Sequence, residues 1–255
     1  MHLKNPDREN KVSLRGAVQI NRSSFFVYKD EYGKTFLESG KDESLHKSVV
    51  KDMIQSNPFV SRILKRYHIK PLIDTKTLKE LTGGHMNDTC NIAMGVYNTL
   101  PDFIRNKVNV QTLKEASMLH DLGKVLIPSK ILNKPAKLNI KERKIMNIHS
   151  TLGYELLKTQ PLSDETLALI KYHHQNLKHS GYPKLSKDYI TSDLCVQIIS
   201  IADKYSALRE ARVYRRRLSR VEALLILYRE VREGKILPAV YDALVNYARM
   251  FDIQN

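Results

Sequence analysis

The chain contains no tryptophan, only two cysteines, and no apolar run near the roughly 18 residues that a membrane-spanning helix needs. Without tryptophan, the core must be built on Leu, Ile, Val, Ala and Tyr. Cys90 and Cys195 lie far apart and in no metal-binding spacing, so they read as buried reduced thiols rather than a disulfide or a thiolate zinc site. The opening MHLKNPDREN is too polar for a signal peptide, and with no candidate span the expectation is a soluble cytoplasmic protein without membrane association. Internal repeats and low-complexity tracts are also missing. Acidic residues are in short supply, with 27 Asp and Glu against 42 Lys and Arg, a net charge of +15. Such a field attracts polyanions, whether nucleic acids, nucleotides or acidic membranes, and charge alone does not choose among them. The densest basic stretch, REARVYRRRLSR, reads on its own as a solvated helix end or loop.

A length of 255 residues with 42% hydrophobic content suits one ordinary domain plus a small appendage. Strand signals are confined to the first 43 or so residues, at AVQI, FFVY and KTFLES, with a hairpin between the last two. From Ser44 the apolar period becomes helical. Leu45, Val49 and Met53 share one face, Asn57-Pro58 interrupts it, and Val60, Ile63, Leu64 and Tyr67 resume it as far as Pro71. Beyond Asp74 a run of helices with short connections is predicted over Thr89–Tyr97, Val110–Leu122, Thr166–Gln175 and Val196–Leu208. A capping box at Asn139 and Glu142 opens one through Ile145, Ile148, Leu152 and Leu156. A second, at Ser219 and Glu222, starts another, and Pro238 occupies the first turn of the last. The fold class is therefore mainly α, with residues 1–75 as a small regulatory or capping part and 76–255 as a helical bundle.

On these helices, imidazoles and a carboxylate fall in phase with the apolar residues. His85 precedes Thr89 by four and shares its phase with Ile92 and Val96, and His120 is in phase with Leu113 and Ala116. His149 lies between Ile145 and Leu152, His173 follows Leu169, His174 is in phase with Leu167 and Ile170, and Asp203 with Val196 and Ile199. Each alone would be a core histidine bonded to a carbonyl, or a buried carboxylate paired with arginine. A buried Asp is costly unless its charge is compensated, and Asp121 shares the problem with Asp203. Six such coincidences on five helices favour a metal. His and Asp without thiolate suit iron, manganese or zinc in a five- or six-coordinate site. Neighbours on a helix diverge by about 100 degrees, so His120 and Asp121 reach one cluster only at a helix end, with Asp121 able to bridge two ions and Lys124 just beyond.

The ordered strings LHDLGKVLIPSKILNKPAKL, HSTLGYELL, HH with GYP, and IISIADKYSALREARVYRR resemble the HD-GYP subgroup of HD-domain phosphohydrolases over residues 78 to 255. The resemblance implies an HD-type bundle that hydrolyses cyclic dinucleotides, chiefly cyclic di-GMP, with iron or manganese ions. Carried over by position, it implies His85, His120, Asp121 and Asp203 as ligands of one ion. It implies Asp121, His149, His173 and His174 as ligands of the second. Lys124 would contact the substrate phosphate, Arg212 and Arg215 would hold the dinucleotide phosphates, and Tyr182 would line the site.

The departures are specific. Gln175 replaces a Glu after the paired histidines, Lys178 and His179 replace an Asp-Gly pair, Ser206 stands where an Asp is usual, and Leu81 stands where trinuclear members carry a Glu. Two divalent ions are therefore expected, and a phosphodiesterase, with Asp121 and Lys124 catalytic, that stops at the linear dinucleotide. The alternative is a degenerate module that binds the cyclic dinucleotide, or docks on a diguanylate cyclase or another signalling protein, without turnover. Nucleic acid as partner ranks last, because no recognised nucleic-acid motif is present.

Overall fold

The computed structural model describes residues 27–29, 35–37, 54, 57–70, 84–158, 160–187, 189–211 and 216–252. Val27–Lys29 (β1) and Thr35–Leu37 (β2) pair antiparallel, with Val27 opposite Leu37. The expected strand at AVQI and the helix through Leu45, Val49 and Met53 lie outside the described residues.

The remaining elements are helical. Pro58–Arg66 (α1) starts on Asn57, whose side chain accepts from the Phe59 and Val60 amides, so the Asn-Pro interruption is a cap. Then come Met86–Thr99 (α2), Asp102–Arg105 (α3), Val110–Leu119 (α4), a 3₁₀ turn at Leu122–Leu126, and Ser129–Leu132 (α5). Ile140–Asn147 (α6), His149–Leu157 (α7) and Asp164–Tyr172 (α8) follow, and Asp193–Arg209 (α9), Arg220–Arg232 (α10) and Pro238–Phe251 (α11) complete the bundle. Both capping boxes form, Asn139 with Glu142 and Ser219 with Glu222, and Pro238 takes the first turn of α11.

The helix predicted to run from Asn139 through Leu156 is in fact two, with Ile148 between them. The His149 ring bonds the Met146 carbonyl at 2.7 Å, which engages a backbone acceptor that a continuing helix would use. Likewise the helix predicted to reach Leu122 ends at Leu119, and Asp121 turns the chain into the 3₁₀ segment.

α2 packs on α4, α9 and α11, α8 on α4 and α7, and the 3₁₀ turn on α7. The seam is filled by Leu113, Ala116, Leu152, Leu156, Leu169, Ile170, Ile198 and Ile199, all essentially without exposure. Each such Leu or Ile stabilises by about 1.5–3 kcal/mol relative to exposure, so the helix ends that meet there are held by a fully buried part of the core. α1 rests on α7, where the Asn57 amide donates to the Glu155 carbonyl at 3.0 Å. No helix among the described residues is long and apolar enough to cross a membrane.

Candidate metal centre

Three histidines are placed by one local device. At the end of α4, His120 Nδ1 lies 2.8 Å from the Ser117 carbonyl; at the break before α7, His149 Nδ1 lies 2.7 Å from that of Met146; at the end of α8, His173 Nδ1 lies 2.7 Å from that of Ile170. A carbonyl oxygen only accepts, so each Nδ1 carries the proton, and in the neutral ring Nε2 keeps its lone pair. All three Nε2 atoms point into the same volume. His149 Nε2 lies 3.4 Å from His173 Nε2 and 3.1 Å from His174 Nε2. Two such lone pairs at that separation repel unless a cation or a proton lies between them.

Two carboxylates complete the cluster. Asp121 Oδ1 lies 3.2 Å from His149 Nε2, while its Oδ2 lies 3.4 Å from His120 Nε2 and 3.6 Å from His85 Nε2. Asp203 Oδ1 lies 2.9 Å from His85 Nε2 and 3.8 Å from His120 Nε2, and its Oδ2 lies 3.8 Å from His174 Nδ1. The ligand atoms fall into two sets, Asp121, His149, His173, His174 and His85, His120, Asp121, Asp203, each within 4.8 Å of one another. Asp121 belongs to both. His120 Nε2 and Asp121 Oδ1 are buried without a hydrogen bond, an expensive state for polar atoms in a core and one that a bound cation relieves. The donor set, imidazole and carboxylate without sulfur, fits divalent metal.

Burial alone would lower the His85 imidazole, but hydrogen bonds to Asp203 and Glu210 and the charge of Asp121 raise it to about 9. His120 behaves alike: burial opposes protonation, and Asp121 and Asp203 raise it to about 10. His173 goes the other way, lowered to about 3 by burial and by the neighbouring His120 and His149. His174 is lowered by burial and by His173 and His149. Burial raises Asp121, but Lys124 and His120 outweigh it and hold the carboxyl well below the ordinary range; the facing His120 and His85 rings do the same for Asp203.

Lys124 follows Asp121 in the 3₁₀ turn and pairs with its Oδ2 while remaining 19% exposed, so the ammonium sits at the mouth of the cluster. Gly123 permits this turn: a Cβ there would lie 1.9 Å from the His149 carbonyl oxygen and 2.5 Å from the Gly153 amide.

The loop after His174 closes over the cluster. The Tyr182 ring packs on His174 with centroids 4.5 Å apart and stands edge-on to His149 at 6.2 Å. Burial, then the charges of Asp203 and Asp121, push its phenol above the usual range, so it stays protonated. Gln175 is fully buried and uses both ends of its amide, with Oε1 accepting from Gly181 N at 3.1 Å and Nε2 donating to the Pro183 carbonyl. A carboxylate in that place has no proton for the Pro183 carbonyl, so the replacement of Glu is compatible with a sealed loop. Gly181 is required by proximity, since a Cβ would meet the His174 carbonyl oxygen at 2.1 Å. His179, in the place of the glycine, has φ +50. Its Nε2 is held 3.1 Å from Asp193 Oδ1, and the Asn176 side chain accepts from the Lys178 amide at 2.9 Å.

All seven residues expected as metal ligands thus meet in one cluster, with Lys124 and Tyr182 beside it. Arg212 and Arg215 lie outside the described residues. Sequence reasoning missed Glu210, which lies 2.7 Å from His85 Nδ1. Its signal was present, because Glu210 follows Asp203 by seven residues, two helical turns on the same face.

Residues 89–240 match the HD domain family. The chain is 34% identical over 134 residues to the 3'3'-cGAMP-specific phosphodiesterase 1 of Vibrio cholerae, covering 52% of this chain and 31% of that protein. It is 36% identical over 142 residues to the cyclic di-GMP phosphodiesterase response regulator RpfG of Xanthomonas campestris, covering 53% and 36%. The chain therefore spans about a third of the length of these curated relatives. In fold it is similar to an HDG"Y"P protein from Bdellovibrio bacteriovorus, at 15% identity and a TM-score of 0.52, over 82% of this chain and 65% of that one. With more than half of its length matched and the histidines and aspartates gathered at helix ends, the chain belongs to the HD domain family.

Proposed function

We propose that the chain is a metal-dependent phosphodiesterase that opens a cyclic dinucleotide, cyclic di-GMP foremost, to the linear dinucleotide. The observation that carries this reading is the pair of ligand sets sharing Asp121. His85, His120, Asp121 and Asp203 would hold one iron or manganese ion, and Asp121, His149, His173 and His174 the other. Bound divalent ions supply Lewis-acid polarisation of the phosphate and a water of lowered pKa.

The chain's own groups do the rest. Asp121 fixes the cluster between the end of α4 and the 3₁₀ turn. Lys124, at the mouth, neutralises charge on the phosphate as it builds, and Tyr182, kept protonated, offers a hydroxyl to a phosphate oxygen. Water adds to phosphorus, the bond to the 3′ oxygen breaks, and that oxygen leaves as a hydroxyl while the phosphate stays on the 5′ oxygen. The relatives named as cyclic di-GMP and 3'3'-cGAMP phosphodiesterases support the substrate class. Arg212 and Arg215 belong to this reading as holders of the dinucleotide phosphates, and residues 1–75 as a small part that caps the 76–255 bundle.

The test is anaerobic purification with manganese or ferrous iron, followed by chromatography of products from cyclic di-GMP and cyclic GMP-AMP beside an Asp121→Ala control. Linear product absent from the control is expected. Bound metal with intact nucleotide in every arm would replace the enzyme reading with that of a module that binds without turnover.

A further inference from the structure

His85 differs from the three imidazoles that bond their own preceding turn. It stands immediately before α2 in helical backbone, and its Nδ1 is bonded across the bundle instead of to its own turn. The partner comes from the far end of α9. Glu210 Oε1 lies 2.7 Å from His85 Nδ1, and the Ser206 hydroxyl lies 3.2 Å from the same nitrogen while donating to Glu210 Oε1 at 3.2 Å. The contact spans 125 residues of sequence. An ionised carboxylate only accepts, so it holds the proton on Nδ1 and aims Nε2 at Asp121 and Asp203.

We propose that Glu210 is the positioning residue that orients His85 for metal, in place of a carboxylate at position 206. The proposal rests on the metal-centre reading above. Ser206 cannot supply a negative charge, and Glu210, in extended backbone just past the end of α9, brings its carboxylate to the same ring nitrogen that the Ser206 hydroxyl approaches. An aspartate there is one methylene shorter and would fall short. The serine keeps a different task, with its hydroxyl clamping the relocated carboxylate. A carboxylate behind a metal-bound imidazole fixes the tautomer and raises the basicity of the ligand, and its loss typically weakens metal binding about 10 to 100 fold. Since His85 belongs to only one of the two ligand sets, the effect should fall on one ion and leave the other in place.

Glu210 is also open to solvent. Its side chain is 35% exposed, and it lines a cavity of about 750 Å³ with Ser206, Arg209 and Arg217. The isosteric Glu210→Gln therefore disturbs little packing.

The experiment titrates metal-stripped protein with manganese alone, reading free ion by electron paramagnetic resonance, for wild type, Glu210→Gln, Glu210→Asp, Ser206→Asp/Glu210→Ala and Asp121→Ala. Thermal unfolding midpoints accompany each. Expected is one ion weakened about 10 to 100 fold in Glu210→Gln and in Glu210→Asp, with the second ion unchanged, and affinity restored when Ser206→Asp returns a carboxylate in the Glu210→Ala background. Wild-type affinity in Glu210→Gln, or a loss that Ser206→Asp does not restore, overturns the role of Glu210. Wild-type protein that takes up no manganese is a different result, because it overturns the metal centre itself and with it every role assigned to a ligand.

Discussion

An imidazole becomes a usable ligand only when its other nitrogen is committed, and in this protein helix termini make the commitment. His120, His149 and His173 each bond the carbonyl three residues back, at places where the helix is ending and that carbonyl is free to accept. The charges follow from the same geometry. In the metal-free protein His85 at about 9 and His120 at about 10 lie above their ordinary 6.5. Their protonation therefore stabilises the folded metal-free state fully below about pH 6.5, and this contribution is lost as pH rises through 9 to 10. Metal competes with those protons, so affinity is expected to rise from pH 6 to 9 with protons released on binding, which a pH indicator in weakly buffered solution measures. Affinity that is flat over this range would contradict the assignment of His85 and His120. Removal of the ammonium in Lys124→Met is expected to lower kcat by about 10² to 10³ while metal content stays at the wild-type level. At this scale the sequence was informative wherever a residue kept helical phase with apolar neighbours. It gave only the seven-residue spacing from Asp203 as a cue to Glu210, and that cue was outweighed, because a glutamate at an exposed helix end in a basic stretch looks like solvated surface until His85 is seen to reach it from 125 residues away.

The elements carry the cluster by how they stop. The 3₁₀ turn at Leu122–Leu126 presses its glycine onto the start of α7, so Gly123→Ala must push backbone from backbone. A cost of about 1–3 kcal/mol is expected from urea unfolding, together with weaker metal binding as His149 moves with α7. The loop from Gln175 to Pro183 offers the opposite experiment. His179 occupies left-handed backbone at φ +50, which costs an ordinary residue roughly 1–2 kcal/mol. His179→Gly is expected to raise stability by up to about 1 kcal/mol in the same assay, the lost contact to Asp193 offsetting part of the gain. Element identity was largely readable, since both capping boxes and the Pro238 start were marked by residue type. The two early helix ends were not. Apolar phase runs straight through Ile148 and through His120–Leu122, and only the competition of a ring nitrogen for a backbone acceptor, or the turn at Asp121, reveals that the helix has stopped.

The described residues from α1 onward form a helical bundle, and the chain carries a net charge of +15 that its internally compensated cluster does not account for. An anionic dinucleotide is drawn toward such a charge, so kcat/KM is expected to fall as ionic strength increases from about 0.05 to 0.5 M, where screening shortens from about 14 to 4 Å, while kcat changes less. Composition agrees with the lack of a membrane-spanning helix among the described residues, whereas the docking of α1 on α7 was not legible, since one short amphipathic helix does not say which surface it will cover. On the proposed phosphodiesterase reading, this bundle delivers solvent water to a cyclic phosphodiester. Turning over cyclic di-GMP in ¹⁸O-labelled water with the manganese-loaded protein and weighing the product decides whether it does. One labelled oxygen on the 5′ phosphate of the linear dinucleotide is the expected result. Unchanged nucleotide in the fully metal-loaded protein, or linear product without label, would contradict the account.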